Sequence, residues 1–221
     1  MIYLIPGLGA DHRVFKNLNL KPYQTQLINW LDPIKGESLA DYAKRLGDDQ
    51  IDPNEDIILI GLSMGGMIAK EMMQHFNVSK CIILSSVQVS NDFSPSIKLA
   101  RYVKIHKFIP ITKLRKLNHL TANYFFSVKD DISKRALHKT IDETDPWFLE
   151  WSIDAILNWT NENYNPNIYH IHGNKDRIFP ILNLSKKPII IDGGGHWMVV
   201  EKGKEISDII LKYLDNKHAL N

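Results

Sequence analysis

The chain has 221 residues, of which 44% are hydrophobic, and its 27 Lys and Arg against 25 Asp and Glu give a formal net charge of +2. This length is typical of one domain with a sizeable core, and the composition argues against intrinsic disorder and against nucleic-acid binding. The one cysteine, Cys81, excludes a disulfide framework and a cysteine-rich zinc module. No apolar run reaches the roughly 18–20 residues of a membrane span, and Met1–Ile5 lacks the basic leader of a signal peptide. We therefore expect a single domain over residues 1–221, located in the cytoplasm.

Six short apolar runs rich in Ile, Val and Leu predict the strands of a sheet. In chain order they are Ile2–Ile5, Gln26–Asn29, Ile57–Ile60, Cys81–Leu84, Ile168–Ile171 and Ile189–Ile191. Near-continuous apolar strands are typical of a parallel sheet that is covered on both faces. Helical patterns lie between them: one capped by Ser38, one from about Met64 to Phe76, and one that includes Ile206 and Tyr213. The alternation predicts a doubly wound, mainly parallel six-stranded α/β sheet with helices on both faces.

The stretch between the fourth and fifth predicted strands carries no strand pattern. It predicts four helices, at about Ser96–Phe108, Thr112–Phe126, Ile132–Glu143 and Pro146–Trp159. A connection of this length is too structured for a loop. We interpret it as a helical cap, inserted at about residues 87–165 over the edge of the sheet where open α/β proteins bind ligands. We expect most of its aromatic side chains to pack between helices and a few to line an apolar acyl pocket.

The strongest local motif is Gly61-Leu62-Ser63-Met64-Gly65-Gly66, which follows the third predicted strand and opens a helix. A turn this tight strains the serine, and side chains at Gly61 and Gly65 would collide across it. The serine oxygen is then presented at the top of the sheet, with a helix N-terminus behind it. Alone, the pattern also fits an ordinary glycine-rich loop. Its position between strand and helix indicates a nucleophile elbow, with Ser63 as the candidate nucleophile.

Two further polar loops follow the fifth and sixth predicted strands. Asp176 lies in the first of them and His196 in the second, so both belong to the same sheet edge as Ser63. A serine nucleophile needs a base, and the base needs an orienting carboxylate. Each residue alone fits a turn, but the order Ser–Asp–His with every member at a strand end is typical of a catalytic triad.

The loop after the first strand, Pro6-Gly7-Leu8-Gly9, is a candidate for one side of an oxyanion hole. Acyl transfer creates an oxyanion that needs two preorganised N–H donors, and we predict the main-chain amides of Leu8 and Met64. A phosphate-binding loop is the alternative, but the third glycine of the dinucleotide motif and the Gly-Lys-Ser/Thr sequence are both lacking.

Two other groups of residues have less specific interpretations. His170 and His172 alternate along a strand and could share a metal, but no acidic or cysteine cluster accompanies them, so we predict a structural or site-lining role and no metal. Residues 93–129 hold eight basic and no acidic residues. We favour pairing or solvation of these charges over an anionic partner such as an acyl carrier, coenzyme A or an acidic membrane surface. The basic residues are Lys98, Arg101, Lys104, Lys107, Lys113, Arg115, Lys116 and Lys129.

With these motifs in place, the chain resembles the α/β-hydrolase superfamily over nearly its whole length. The resemblance implies Ser63 as nucleophile, His196 as general base and acid, Asp176 as its orienter, and the spatial strand order 2-1-3-4-5-6. Many relatives have His-Gly where this chain has Pro6-Gly7, which removes hydrogen bonds of that histidine but not a main-chain donor. The sequence begins at the strand that leads into the oxyanion loop, so we expect the fold without the family's first two strands.

We therefore predict a serine hydrolase that cleaves a carboxylic ester, or a related acyl bond, of a small to medium apolar compound through an acyl-enzyme. No metal or organic cofactor is implied. A thioesterase or acyltransferase using the same serine is the alternative within enzymes. The alternative that is not an enzyme is a non-catalytic ligand-binding module, since the superfamily that the chain resembles also includes ligand receptors.

Overall fold

A six-stranded parallel sheet forms the centre of the protein, seen in a computed structural model that describes residues 1–103, 119 and 121–215. The strands lie in the order β2-β1-β3-β4-β5-β6, and every neighbouring pair is parallel. This confirms the predicted fold class and strand order. The strands are β1 (Ile2–Ile5), β2 (Thr25–Leu27), β3 (Ile57–Leu62), β4 (Val78–Leu84), β5 (Ile168–Gly173) and β6 (Ile189–Ile191).

Four strands differ from the prediction: β3 and β5 each end two residues later, at Leu62 and Gly173, and the bounds of β2 and β4 differ for local reasons. The edge strand β2 begins at Thr25 and ends at Leu27, because the Asn29 amide leaves the ladder and donates to the Gln50 side chain at 2.7 Å. Strand β4 begins at Val78, three residues before the predicted start at Cys81, because the polar side chains of these added residues are hydrogen-bonded. The Lys80 ammonium donates to two carbonyls at the end of the last helix, at 3.0 Å each.

Helices cover both faces of the sheet and fill the connection between β4 and β5. The helix predicted to reach Phe76 ends at Met72, and the two predicted after residue 130 agree with the structure within one residue. The other two predicted cap helices lie partly outside the described residues. The helices are α1 (Leu39–Gln50), α2 (Met64–Met72), α3 (Pro95–Val103), α4 (Asp131–Glu143), α5 (Pro146–Asn158), α6 (Met198–Glu201) and α7 (Gly203–Asp215), with a further helical stretch at 121–125.

The core consists of two apolar layers, one on each face of the sheet. In β1, Tyr3 and Ile5 belong to the layer under α1 and α2, whereas Ile2 and Leu4 belong to the layer under α7. This alternation explains why the strand sequences are apolar at consecutive positions. Phe148 and Trp151 of α5 extend the first layer, and Leu137 of α4 extends the second. We call residues 85–167, which join β4 to β5, the insertion.

A search of the described helices finds none with the length and apolar character needed to cross a membrane.

Candidate active site

Ser63 sits in a strained turn between β3 and α2. Its backbone angles are φ 53° and ψ −119°, in a region that a residue with a side chain rarely adopts. Three hydrogen bonds hold this conformation: the Ser63 amide donates to the Leu84 carbonyl at 2.9 Å, and the Ser63 carbonyl accepts from the Gly66 amide at 2.9 Å and the Ser86 hydroxyl at 2.7 Å. The turn therefore fixes Ser63 Oγ at the carboxyl edge of the sheet.

The two glycines that flank the turn have no room for a side chain. A Cβ on Gly61 would overlap the main chain of Gly65, and a Cβ on Gly65 would overlap the carbonyls of Ile5 and Pro6. The loop after β1 also lies against the turn, since a Cβ on Gly7 would be 3.3 Å from the Ser63 Cβ. The structure thus packs residues 6–8 directly against the serine turn, and Met64 begins α2 on its other side.

His196 follows β6 and joins the serine to an acidic side chain. Its Nε2 lies 2.9 Å from Ser63 Oγ, and its Nδ1 lies 2.7 Å from Asp176 Oδ2. Because an ionised carboxylate only accepts, Nδ1 carries the proton, and the serine hydroxyl donates to Nε2. Both His196 and Asp176 are buried, at 4% and 5% exposure. The three residues predicted from separate loops are thus brought together in one hydrogen-bonded line.

Asp176 is held in place by the turn that follows β5. Its Oδ1 accepts the amides of Ile178 and Phe179, both at 2.9 Å, which leaves Oδ2 facing His196. The carboxylate is thereby oriented by two main-chain donors. A histidine in its neutral Nδ1–H form beside an unprotonated carboxylate can accept a proton from the serine hydroxyl, which then becomes a nucleophile.

The two histidines of β5 lie beneath this line. His170 Nε2 and His172 Nδ1 are 3.1 Å apart, and His172 Nε2 lies 2.8 Å from the Phe179 carbonyl oxygen. Burial lowers the pKa of His170 to about 3, and burial likewise lowers the pKa of His172. Both rings are therefore neutral near pH 7. Among the described residues, no three His, Cys, Asp or Glu side chains form a group that could hold a metal ion.

Several solved structures are similar to this one, although no protein-family model and no curated protein sequence matches the chain. An esterase from Thermogutta terrifontis with malate bound has a TM-score of 0.72 at 14% identity, with 99% of this chain and 90% of that chain covered. A bromoperoxidase from Bacillus anthracis has a TM-score of 0.71 at 15% identity (97% and 91% covered). An esterase from Exiguobacterium antarcticum has a TM-score of 0.70 at 16% identity (97% and 91% covered).

The chain has the α/β-hydrolase fold. The coverage shows that the likeness includes the insertion as well as the sheet. The position of Ser63 after β3 and of His196 after β6 is set by this fold, in which the loops at the carboxyl ends of the strands meet at one edge.

The insertion contacts this edge of the α/β-hydrolase fold at two places that the sequence did not reveal. Phe126 lies edge-on to the His196 ring, with the ring centroids 5.1 Å apart. On the other side, Thr144 fills the space beside Gly9, whose φ of +68° is in the left-handed region. The Thr144 hydroxyl lies 3.4 Å from the Gly9 carbonyl and donates to the Thr140 carbonyl at 2.7 Å. No local sequence signal marks either contact, because each joins residues far apart in the chain.

The remaining sequence interpretations concern residues away from the triad line. Cys81 is fully buried in β4, and burial raises its pKa to about 12. Of the basic cap residues, Lys104, Lys107, Lys113, Arg115 and Lys116 lie outside the described residues. Lys98 donates to the Asn91 carbonyl at 2.7 Å.

Proposed function

We propose that this protein is a serine hydrolase that cleaves the carboxylic ester bond, or a related acyl bond, of a small to medium apolar substrate. One observation carries the proposal: the His196 ring lies between Ser63 Oγ and Asp176 Oδ2 at hydrogen-bond distance from both. A serine, a histidine and a buried carboxylate in this order are the components of nucleophilic acyl transfer. The α/β-hydrolase fold of the chain and the esterases among the similar structures support the same reaction class.

In the proposed reaction, Ser63 Oγ attacks the substrate carbonyl carbon while His196 Nε2 takes the hydroxyl proton. The carbonyl oxygen becomes an oxyanion, for which the amides of Leu8 and Met64 are the proposed donors. The close packing of Gly7 on Ser63 supports this assignment, because it places the loop of Leu8 beside the serine. Asp176 stabilises the imidazolium that forms at His196.

The oxyanion then collapses and the C–O bond to the leaving alcohol breaks. His196 gives its proton to that oxygen, and Ser63 retains the acyl group as an ester. In the second half, His196 takes a proton from a water molecule as the water oxygen attacks the acyl carbon. Collapse returns the proton to Ser63 Oγ and releases the carboxylic acid, so the enzyme is restored without a cofactor.

The insertion is proposed to act as the cap, at about residues 87–165, and to supply an apolar acyl pocket. Apolar rings surround the histidine: Phe126 is 5.1 Å and Phe179 is 5.6 Å from its ring centroid, and Phe93 stacks on Phe179 at 6.1 Å. Aromatic walls exclude water and favour apolar acyl groups over charged ones.

Replacement of the nucleophile tests the proposal. We expect Ser63→Ala to lower p-nitrophenyl butyrate turnover at least about 1000-fold, because no other group can form the acyl-enzyme. A fluorophosphonate is expected to add to Ser63 of the native chain, and mass spectrometry of the digested protein locates the adduct. The matched control is Ser79→Ala, since Ser79 bonds the Ile57 carbonyl at the opposite edge of the sheet.

Activity of the folded Ser63→Ala protein within ten-fold of the native level would contradict the mechanism. Absence of the adduct on the native chain would favour a ligand-binding module. Product analysis with an acyl thioester and an added alcohol then separates hydrolysis from acyl transfer, because only a transferase forms the new ester.

A further inference from the structure

A buried histidine that the proposed reaction does not use lies next to the triad carboxylate. His172 Nε2 is 3.4 Å from Asp176 Oδ2, the same oxygen that accepts from His196, and both side chains are fully buried. The closest partner of His172 Nε2 is the Phe179 carbonyl at 2.8 Å. Phe179 is also the residue whose amide donates to Asp176 Oδ1 at 2.9 Å. The main chain of Phe179 is thus bound twice: its carbonyl contacts His172 and its amide donates to Asp176.

The surroundings of His172 determine which of its nitrogens carries the proton. Nε2 faces two acceptors, the Phe179 carbonyl and the Asp176 carboxylate. An unprotonated Nε2 would also be an acceptor, and its lone pair would be repelled by the lone pairs of both oxygens. Nε2 must therefore be protonated. Nδ1 then accepts from His170 Nε2 at 3.1 Å. The neutral Nε2–H form satisfies every one of these contacts.

We propose that His172 is a positioning residue for Asp176: its Nε2–H bond to Phe179 fixes the turn that presents the carboxylate to His196. This inference rests on the proposed function, because it assigns a role in the same reaction. Without the bond, the Phe179 carbonyl would lose its partner, and Asp176 would be held by its own turn and by His196 alone, so that the turn could shift. A displacement of about 1 Å in such a group costs on the order of 100-fold in rate.

The charge of His172 matters as much as its position. The titratable groups that face it are Asp176, His196 and His170. Burial lowers the pKa of His172, with Asp176 opposing the change. A neutral His172 ring directs the positive end of an N–H dipole at the Asp176 carboxylate, and the full negative charge of Asp176 remains available to stabilise the imidazolium at His196. A cationic His172 ring would compete with His196 for that negative charge.

The kinetic test compares three variants of β5. We expect His172→Leu to lower kcat about 10- to 100-fold with KM nearly unchanged, because the turn loses its bond while the substrate pocket keeps its walls. In His172→Gln an amide nitrogen can still donate to Phe179, and kcat is expected to recover to within about 3-fold of native. His170→Leu is the matched control, because it removes the partly buried ring that contacts His172 Nδ1 on the same strand but leaves the Phe179 bond in place.

A positioning role has a signature that loss of packing does not have. If the turn shifts, the Asp176 carboxylate no longer lies at hydrogen-bond distance from His196 Nδ1 and stabilises the imidazolium less, so the acid limb of kcat/KM in His172→Leu is expected to move to lower pH. An equal loss of kcat in His172→Leu and His170→Leu, or an acid limb that stays in place, would overturn the inference.

A second measurement applies even where the leucine variant does not fold and does not depend on turnover. Nitrogen-15 NMR of labelled histidine in the native chain is expected to show His172 neutral and protonated at Nε2 at about pH 7.5. The Nδ1–H form or an imidazolium at His172 would overturn the inference. If native protein gives no Ser63 adduct with a fluorophosphonate, the proposed function fails instead, and the NMR result still decides the state of His172.

Discussion

The carboxyl edge of the sheet and the insertion are held by different kinds of contact. At the sheet edge the loops are joined by main-chain hydrogen bonds: Ser63 to Leu84 at 2.9 Å, and Lys175 to Gly194 at 2.8 Å. The insertion is attached mainly through side chains. One example is Trp151 of α5, whose ring N–H donates to the Glu37 carbonyl at 3.0 Å. The triad geometry therefore depends on backbone positions that few substitutions alter, whereas the attachments of the insertion can be removed one at a time.

Another of these attachments is a buried polar cluster between α2 and the end of the insertion. Glu71 accepts from the Trp159 ring N–H and from the Asn161 amide, both at 2.7 Å, and Asn161 also accepts from the Lys70 ammonium at 3.0 Å. Lys70 donates to the Gln88 carbonyl near the start of the insertion as well. Burial lowers the pKa of Lys70 to about 8, while Glu71 acts in the opposite direction. Both ends of the insertion are thus joined to the helix that follows Ser63.

The largest expected effect comes from breaking the main-chain contacts of the sheet edge. Gly65→Ala would force a methyl group into the carbonyls of Ile5 and Pro6, and we expect a loss of at least about 3 kcal/mol in the free energy of unfolding, together with loss of activity. Urea denaturation measures the first and ester turnover the second. Gly36→Ala is the control, because nothing lies within 4 Å of its Cβ although its φ is +79°. That variant is expected to lose only about 1 kcal/mol and no activity.

A smaller effect is expected from the cluster that holds the insertion. Glu71→Gln replaces a charged acceptor of three hydrogen bonds by an amide, and we expect about 2 kcal/mol lower unfolding free energy. Ser63 should still react with a fluorophosphonate at a temperature where the variant is folded, since the sheet edge is untouched. The neighbouring exposed Glu162→Gln serves as control. Loss of labelling in folded Glu71→Gln would show that the triad depends on how the insertion is attached. The sheet edge would then not be held independently of the insertion.

The sequence predicts the sheet edge better than the attachments of the insertion, and the reason is the range of the interactions. Ser63, Asp176 and His196 each follow a strand whose apolar pattern is local, and the fold then brings the strand ends together. The contact between Thr144 and Gly9 joins residues 135 positions apart, and nothing near either residue indicates the other. Likewise, the apolar pattern predicts a strand that begins only at Cys81, because the polar side chain of Lys80 interrupts the apolar run.

The smallest expected effect concerns the response of the sheet edge to acid. His170 has a pKa of about 3 in the folded chain, below the value of about 6.5 for an unfolded histidine, so the unfolded state binds more protons between these values. Stability is therefore complete above pH 6.5 and falls as the pH is lowered. From pH 6.5 to 5 we expect His170 to account for a loss of about 1.5 kcal/mol, which urea midpoints at several pH values measure. His170→Leu should flatten this part of the curve, whereas the exposed His75→Leu should leave it unchanged. If both variants kept the native slope, the acid sensitivity would have to arise elsewhere, and β5 would not be the region that limits stability in mild acid.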